Sequence, residues 1–529
     1  MHRIRILSAV LALVLLVSLA ASCSAASYEA PAYGADSAHP DGWVEVLRLE
    51  GGTDWGAPNP FQCQSRGPGT AKMELAYASL LEKDETGDIG WLAESWTVEG
   101  NDYTFTLREG AAFQDGQPLT TDDVAFTIDY YNAHPPVSNP LAAGTEACIV
   151  DHYTVVDERT ITLTVKSPDG DTLSNLGSFE IIPRHVWESV EDPCTYTGEG
   201  WLTGSGAYAC TAYDGPTGSY EFTAVEDFCA GTPAAGRIQF VPVSDALLAF
   251  ENGEIDITSV PADLLSQYQA DETLGFVEKA NDMGYKLLIN FEQCPEFLDI
   301  ALRQTVYAAL DRQAVVDKVF RGAGSVGSAG YVPRTSLYYS PDCVEYDYDP
   351  DAARAVLADK NLSVTLLAAD SGNDVAIAEL IKIDLEAAGV AVTVESYDSA
   401  TRDSMVNAGD YQFALVGNGG WGNNPPTYLR TIFSDISKNQ GGNPHSMGPI
   451  GYENAQITEL AEAQKLETDF EARKAIFQEL QVLISQEIPL IVIANQSSYS
   501  MYRKDVYDGW MKTYAYQQAE QNRLSYMLR

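Results

Sequence analysis

Residues that could perform catalysis or bind a metal are sparse in this sequence. The six histidines are at least eighteen positions apart, so no two can form the closely spaced pair that binds zinc on a helix. The patterns G-x-S-x-G and H-E-x-x-H are both absent. One G-x-G-x-x-G match, Gly322 to Gly327, follows a predicted helix, whereas phosphate binding needs this motif between a strand and a helix. These patterns indicate no catalytic residue, no metal site and no cofactor.

Carboxylates and cysteines leave two questions open. Acidic residues are numerous enough for chance pairs near a cleft, so a secreted hydrolase with a carboxylate dyad stays an alternative. No C-x-x-C pair occurs, which disfavours a zinc knuckle or a thioredoxin-like site. With Cys23 set aside, seven cysteines remain, and an odd number leaves at least one free thiol. They stand at positions 63, 148, 194, 210, 229, 294 and 343.

Length and charge indicate a large, acidic, folded protein. Its 529 residues exceed the roughly 250 to 300 at which a single core stops growing, so two or three lobes are expected. The formal net charge is −43, from 32 basic and 75 acidic residues. Such a chain lacks the dense basic patches that bind nucleic acid or anionic lipid. The acidic excess is typical of the solvated surface of an exported protein.

The N-terminus has the pattern of an export signal. Two arginines precede an apolar run from Ile6 to Ala20, which is too short for a membrane span. Small residues then lead to Cys23, which we expect to be acylated, although the usual Leu stands one position early at Leu19. The alternative is a plain secretory signal cut near Ala21. The predicted segments are a signal peptide, residues 1–22, and a flexible tether, residues 23–42.

The clearest structural elements lie between Leu92 and Ile128. Two runs of β-branched and aromatic residues surround the turn at residues 99–102, which predicts a β-hairpin. Thr120, with Asp123 three positions later, then predicts the start of a helix that runs to about Asn132. A second hairpin is predicted from Tyr208 to Val225, and a single strand is predicted from Tyr285 to Phe291.

The second half of the chain alternates between helices and strands. Helices are predicted from Phe297 to Phe320 and from Asn454 to Gln486, each as one continuous segment. Between them, strands and helices alternate from Val364 to Val416, which favours an α/β lobe with a largely parallel sheet.

Several blocks of sequence resemble a known family. The segment LAESW, followed by YTFTLREGAAFQDGQPLTTDDVAF, is similar to the signature region of extracytoplasmic solute-binding proteins of the peptide/nickel type, family 5. The order and spacing of the further blocks support this resemblance over most of the mature chain. Those blocks are GSGAY at Gly204, FENGEIDI at Phe250, KLLINF at Lys286, LRQTVYAALDRQAVV at Leu302 and YDPDAARAVL at Tyr348.

The resemblance implies an α/β, two-lobed periplasmic-binding-protein-like fold of type II, with an extra subdomain in lobe I. The implied segments are lobe I at 43–289, lobe II at 290–494 and a return to lobe I at 495–529, with crossings near Ile289 to Glu292 and near Ala494 to Ser498. The implied function is the substrate-binding component of an ABC importer, a monomer that delivers a small extracellular solute to a membrane permease. An oligopeptide is the expected ligand, and an oligosaccharide or a nickel or other metal chelate is the alternative.

The resemblance also places candidate ligand-binding residues in two loops. The loop after the first strand, with Trp55 and Asn59, is expected to form one wall of the cleft. The stretch that carries an ammonium-binding aspartate in peptide-binding relatives has no Asp or Glu here, which shifts the expectation toward N-blocked or neutral ligands. Its candidates are Trp421, Asn423, Asn424 and Tyr428. His445 is expected to be a surface residue and not a metal ligand.

Overall fold

The protein has two lobes with separate hydrophobic cores. The computed structural model describes residues 41–65, 67–84, 87–142, 148–419, 448–511 and 519–528. The first core is built mainly from residues between Val44 and Phe240, together with C-terminal residues from Tyr502 to Met527. Two further cores lie between Leu287 and Ala494, on the two faces of one sheet.

The strands, in chain order, are β1 (Val44–Gly51), β2 (Leu81–Asp84), β3 (Gly87–Gly90), β4 (Ala93–Glu99), β5 (Asp102–Leu107), β6 (Val150–Val155), β7 (Thr160–Val165), β8 (Tyr208–Asp214), β9 (Ser219–Ala224), β10 (Ala235–Pro242), β11 (Ile257–Val260), β12 (Leu274–Ile289), β13 (Gly324–Val326), β14 (Ser363–Ala369), β15 (Ala391–Tyr397), β16 (Phe413–Gly419) and β17 (Ile491–Arg503). The helices are α1 (Gly67–Ala76), α2 (Thr121–Ala133), α3 (Thr172–Gly177), α4 (Arg184–Trp187), α5 (Ala246–Glu251), α6 (Ala262–Tyr268), α7 (Ile300–Ala309), α8 (Arg312–Ala314), α9 (Pro350–Leu357), α10 (Asp374–Ala387), α11 (Ser399–Ala408), α12 (Ala455–Leu466) and α13 (Phe470–Glu487).

Lobe I contains two four-stranded sheets. One has the order β1-β10-β9-β8, with β1 and β10 parallel, and the other is the antiparallel sheet β4-β5-β7-β6. Both predicted hairpins are confirmed, as β4-β5 and β8-β9. The predicted helix start is confirmed too, because the Asp123 carboxylate accepts hydrogen bonds from the backbone N–H of Thr120 at 3.0 Å and from its hydroxyl at 3.2 Å.

Lobe II is built on a mixed sheet. Strand β14 is parallel to both β15 and β16, as the alternation of strands and helices predicted. However, β16 and β17 both run antiparallel to β12, so the expectation of a largely parallel sheet was only half right. The G-x-G-x-x-G segment forms β13, which pairs with β17, and does not form a loop at the start of a helix.

Two helices predicted as continuous are interrupted. The segment 297–320 breaks at Leu310, and the chain restarts at Asp311, whose carboxylate accepts a hydrogen bond from the Ala314 N–H at 3.0 Å. The segment 454–486 breaks before Asp469, whose carboxylate caps α13 through the Ala472 N–H at 2.9 Å. Both predictions were wrong because an N-capping aspartate competes with the helical pattern that surrounds it.

The strand pair β12-β17 connects the two lobes. Residues 274–279 of β12 pair with residues 498–503 of β17, beside β11 and lobe I. Residues 283–289 pair with β16 in lobe II, and the register shifts between Lys279 and Met283. Strand β12 is therefore much longer than the predicted strand, which began at Tyr285.

A buried ion cluster attaches the C-terminal segment to lobe I. The Arg523 guanidinium contacts the Glu82 carboxylate, and it donates to the Tyr77 carbonyl at 3.1 Å and the Ser79 hydroxyl at 2.5 Å. Burial raises the pKa of Glu74 to about 8 and that of Glu180 to about 7, although the charge of Arg523 opposes both shifts. One arginine thus lies among several carboxyl groups that are largely buried.

Two further observations concern the part of the chain that the structure describes. None of its seven cysteines forms a disulfide bond. None of its helices combines the length and the apolar character that crossing a membrane requires.

Candidate functional site

A cavity of about 220 Å³ lies in lobe I, where β1 and β10 end. Its lining comes from Glu50 and Gly51 at the end of β1, from Phe240 on β10, from α1 and from β11. Because β11 pairs with β17, the cavity is next to the strand pair that crosses between the lobes. All of its lining residues belong to lobe I, and ligand pockets occur preferentially near such boundaries between domains.

The loop that carries Trp55 is fixed by hydrogen bonds from two tyrosines. The Trp55 N–H donates to the Tyr220 hydroxyl at 2.7 Å, and that hydroxyl donates to the Gly56 carbonyl at 3.1 Å. The Tyr213 hydroxyl donates to the Asp54 carboxylate at 2.8 Å, and burial together with Asp54 raises the pKa of Tyr213 to about 12. The backbone of this loop is therefore held in place where Trp55 lines the cavity.

Lys72 supplies a buried positive charge to the same cavity. Its side chain is 5% exposed, and its Nζ lies 3.9 Å from the centroid of the Phe240 ring and 5.2 Å from that of Tyr220. Its Nζ also donates a long hydrogen bond, 3.4 Å, to the Pro68 carbonyl. Burial lowers the pKa of Lys72 to about 8, while the charges of Glu520 and Glu50 act in the opposite direction.

Two carboxylates complete the charged lining. Glu520 accepts a hydrogen bond of 3.4 Å from the Ser500 hydroxyl, and burial raises the pKa of its carboxyl group. Glu50 is exposed at the end of β1, and its charge adds to the upward shift at Glu520, which Lys279 opposes. The cavity thus combines one cation, two carboxylates and aromatic surface, which suits the binding of a polar solute.

The sequence-predicted site residues have different positions. Trp55 lines the cavity. Asn59 does not, because its side chain is fully buried and its Oδ1 accepts hydrogen bonds from the Phe61 and Gln62 N–H groups at 3.0 Å. These bonds stabilise the turn. The remaining candidates lie outside the described residues, namely Trp421, Asn423, Asn424, Tyr428, His445 and Cys23.

Lobe II presents the carboxyl ends of its parallel strands to the crossing. Gly419, at the end of β16, pairs with Met283, and the Asn373 side chain donates to that of Gln496 at 3.3 Å. Beside them the Arg402 guanidinium donates to the Leu415 carbonyl at 2.7 Å and to Asp374 at 3.1 Å. Ligands of open α/β sheets characteristically bind at such strand ends.

A second contact between the lobes lies around Arg473 of α13. Its Nη1 donates to the Gly170 carbonyl at 2.7 Å and to the Asp171 carboxylate at 2.8 Å. The Gly170 N–H donates to the Lys465 carbonyl at 2.7 Å, and the Lys465 ammonium lies 3.6 Å from Asp169. We call these contacts between residues 169–171 and lobe II the latch.

The comparison with known proteins identifies the family. The chain matches the model of bacterial extracellular solute-binding proteins, family 5, middle region, over residues 89–440. It belongs to this family. Family 5 proteins are extracytoplasmic solute-binding proteins and not enzymes, and the resemblance predicted from the sequence blocks is confirmed.

Family 5 relatives with different ligands in their names match most of the chain. The dipeptide-binding protein of Escherichia coli strain K12 is 24% identical over 490 residues, which cover 85% of this chain and 90% of that protein. Heme-binding protein A of Haemophilus influenzae is 23% identical over 466 residues, 81% of this chain and 83% of that protein.

Solved family 5 structures share the fold. The structure of HbpA2 from Haemophilus parasuis has a TM-score of 0.75 at 20% identity and covers 92% of this chain and 98% of that one. The ABC transporter-associated periplasmic binding protein DppA from Helicobacter pylori, in complex with the peptide STSA, has a TM-score of 0.66 at 18% identity and covers 91% of this chain and 98% of that one. These matches confirm the two-lobed, type II fold.

The charged residues of the cavity were missed by sequence reasoning. Glu50, Lys72 and Glu520 come from three segments that are distant in the chain, and none stands in a recognisable motif. Only Glu50 could have been inferred from the sequence, because it directly precedes the glycines of the loop that was predicted to form a wall of the cleft.

Proposed function

We propose that this protein is the substrate-binding component of an ABC importer and that it captures an oligopeptide between its two lobes for delivery to the membrane permease. The observation that carries the proposal is the preformed cavity of lobe I, with its buried Lys72 and its fixed Trp55, directly beside the crossing strands. Family membership and the peptide-binding names of several relatives support it.

Capture requires the two lobes to move relative to each other. A hinge transition of this kind is driven by the higher affinity of the ligand for the closed state. The register shift in β12 between Lys279 and Met283 provides a point at which the ladder can bend. The latch around Arg473 contributes contacts that depend on the distance between the lobes.

We propose domain boundaries that differ slightly from those expected from the sequence. The register shift and the change of strand partners support a first crossing at residues 279–283, about ten residues before the expected position. The second crossing, at residues 496–498, agrees with the expected range of Ala494 to Ser498. Lobe I then comprises residues 43–279 and 498–528, and lobe II the residues between.

A metal chelate is the second candidate ligand. The family 5 structures include NikZ from Campylobacter jejuni in complex with Ni(L-His), which has a TM-score of 0.63 and 20% identity and covers 90% of this chain and 97% of that one. Among the residues that the structure describes, no cluster of three potential metal ligands occurs. A chelate would therefore bring its own ligands and bind through them.

We further propose that residues 1–22 direct export and that acylated Cys23 anchors a monomer to the outer face of the membrane through the tether. The apolar run and the small residues before Cys23 support this proposal. Mass spectrometry of the mature N-terminus tests it. An unmodified N-terminus near position 22, with the protein in the aqueous phase of a detergent partition, contradicts the anchor.

The ligand proposal is tested by mass spectrometry of small molecules that co-purify with the protein. A thermal-shift screen of dipeptide to pentapeptide mixtures, maltooligosaccharides and nickel–histidine follows, because a ligand of the folded state raises the melting temperature by mass action. We expect a shift with peptides that is reduced in Trp55→Ala and retained in Trp96→Ala, whose half-buried indole lies on β4 in the other sheet of lobe I. A shift with the sugars or the chelate alone contradicts the peptide assignment.

A further inference from the structure

The buried Lys72 ammonium forms no direct ion pair with a described carboxylate, although the charges of Glu520 and Glu50 act on it from the same cavity. An ammonium has three donors, and the only hydrogen bond that this one makes with the described residues is the 3.4 Å contact with the Pro68 carbonyl. Its other neighbours are the faces of Phe240 and Tyr220. A buried charge without a paired anion costs several kcal/mol, which a negatively charged ligand group in the cavity would offset.

The carboxylates of the same cavity, Glu520 and Glu50, have hydrogen-bond acceptor positions that no described cation occupies. The described hydrogen bonds to the Glu520 carboxylate comprise one long contact from Ser500, and a carboxylate offers about four acceptor positions. Glu50 adds a second negative charge at the end of β1. Neither carboxylate lies within 4.0 Å of a described lysine or arginine, so both can accept hydrogen bonds from a cationic group.

These two observations restrict the ligand. A purely anionic ligand would meet Glu50 and Glu520 as well as the large negative charge of the protein. A purely cationic ligand would leave Lys72 without an anion. A ligand that carries one negative and one positive group can pair with Lys72 and with the two carboxylates.

We propose that the cavity binds a zwitterion, with the ligand carboxylate on Lys72, the ligand ammonium on Glu520 and Glu50, and Trp55 against its side chain. The inference rests on the proposed function and specifies its substrate class. A cavity of about 220 Å³ accommodates both termini only when they are close together. At roughly 3.5 Å per residue, a free amino acid or an unblocked dipeptide keeps its two charged termini close enough together to lie in this cavity.

The proposal replaces the expectation of an N-blocked ligand. That expectation followed from the lack of a carboxylate between Tyr411 and Ile432 of lobe II. In the structure, lobe I offers two carboxylates that can bind an ammonium.

The test uses alanyl-X dipeptide mixtures in three forms: unblocked, N-acetylated and C-amidated. The protein is first freed of co-purified ligand by unfolding and refolding, and apparent Kd values are taken from thermal-shift titrations at pH 7. We expect the wild type to bind the unblocked form roughly 30-fold or more tightly than either blocked form, because blocking leaves one buried charge unpaired.

Variants of the two sides should then lose different preferences. Lys72→Met should abolish the preference for the unblocked over the C-amidated dipeptide and retain the preference for the unblocked over the N-acetylated one. Glu520→Gln should abolish the preference over the N-acetylated dipeptide and retain the preference over the C-amidated one. Lys360→Met and Glu45→Gln make the same charge changes at exposed positions, and both should keep the wild-type preferences. Ligand-free melting temperatures check folding, and Lys72→Gln is the second variant at that position.

Three results would overturn the inference. The first is wild-type protein that binds blocked and unblocked forms equally. The second is a pair of variants that each weaken all three forms by the same factor. The third is binding of longer peptides without any binding of dipeptides, which leaves the peptide function standing. If no peptide of any length binds, the proposed function fails and the inference fails with it.

Discussion

Replacing Lys72 with methionine should stabilise the ligand-free protein. The substitution retains the length of the side chain and its contacts with the Phe240 and Tyr220 rings, and it removes a charge that burial disfavours. Lys72 would thus lower the free energy of unfolding of the ligand-free protein while it contributes to ligand binding. Residues at functional sites commonly reduce stability in this way.

The size of the effect follows from the pKa. Lowering the pKa of Lys72 from 10.5 to about 8 corresponds to about 3 kcal/mol, at roughly 1.4 kcal/mol per pH unit. The cation–π contact with Phe240 is lost in the variant and offsets about 1 kcal/mol. We therefore expect the free energy of unfolding at pH 7 to rise by about 2 kcal/mol.

The sign of the pH dependence is determined by the lowered pKa. The cost of the buried charge is fully present below about pH 8, where both the folded and the unfolded chain carry the proton. It declines as the pH rises toward 10.5, because the folded chain has already lost its proton there and the unfolded chain is losing it.

Urea unfolding between pH 6 and pH 10 measures the effect on protein from which bound ligand has been removed. The advantage of Lys72→Met over the wild type should be constant up to about pH 8 and then shrink. Lys360→Met, at an exposed position, should show no such profile. A variant that is less stable than the wild type at pH 7, or an advantage that is independent of pH, would refute the reasoning.

Three further predictions concern other parts of the molecule. Arg523→Gln should lower the free energy of unfolding by roughly 3 to 5 kcal/mol at pH 9, where Glu74 and Glu180 are charged, and by less at pH 6, where both are protonated; urea unfolding at both values checks this. Arg473→Gln should increase the radius of gyration of the ligand-free protein in X-ray scattering by weakening the latch, and the neighbouring Lys474→Gln should not; equal radii would argue against the latch. Among the described cysteines, Cys194 should react with iodoacetamide first at pH 8, because it is exposed, whereas burial raises the pKa of thiols such as Cys63; rapid labelling of Cys63 in the folded protein contradicts this.

Local sequence patterns predicted much of the fold. Both hairpins, the helix after Thr120 and the alternation from Val364 to Val416 depend on neighbouring residues, and the structure contains all of them. The errors arose where contacts with a segment that is distant in the chain determine the secondary structure. The extension of β12 back to Leu274 depends on pairing with β17, which is more than 200 positions away.

The candidate site was less predictable than the fold. Trp55 was found because its loop directly follows the first strand. Lys72 lies on a helix whose sequence suggests an exposed cation, and only the packing of α1 on β9 and β10 makes it a buried one. Asn59 was selected for its type, yet the turn uses its side chain.

The C-terminal segment of lobe I has a consequence for the order in which the protein folds. Arg523 and Tyr526 complete a core whose other members lie mainly between residues 44 and 240, and the Tyr526 carbonyl accepts hydrogen bonds from Tyr208 and Ala234 at 2.8 Å. Lobe II, in contrast, is formed by a single stretch of chain. In a polypeptide that emerges from a translocation channel N-terminus first, lobe II can therefore fold while lobe I is still incomplete. Lobe I would remain open, and vulnerable to proteases, until its last residues leave the channel.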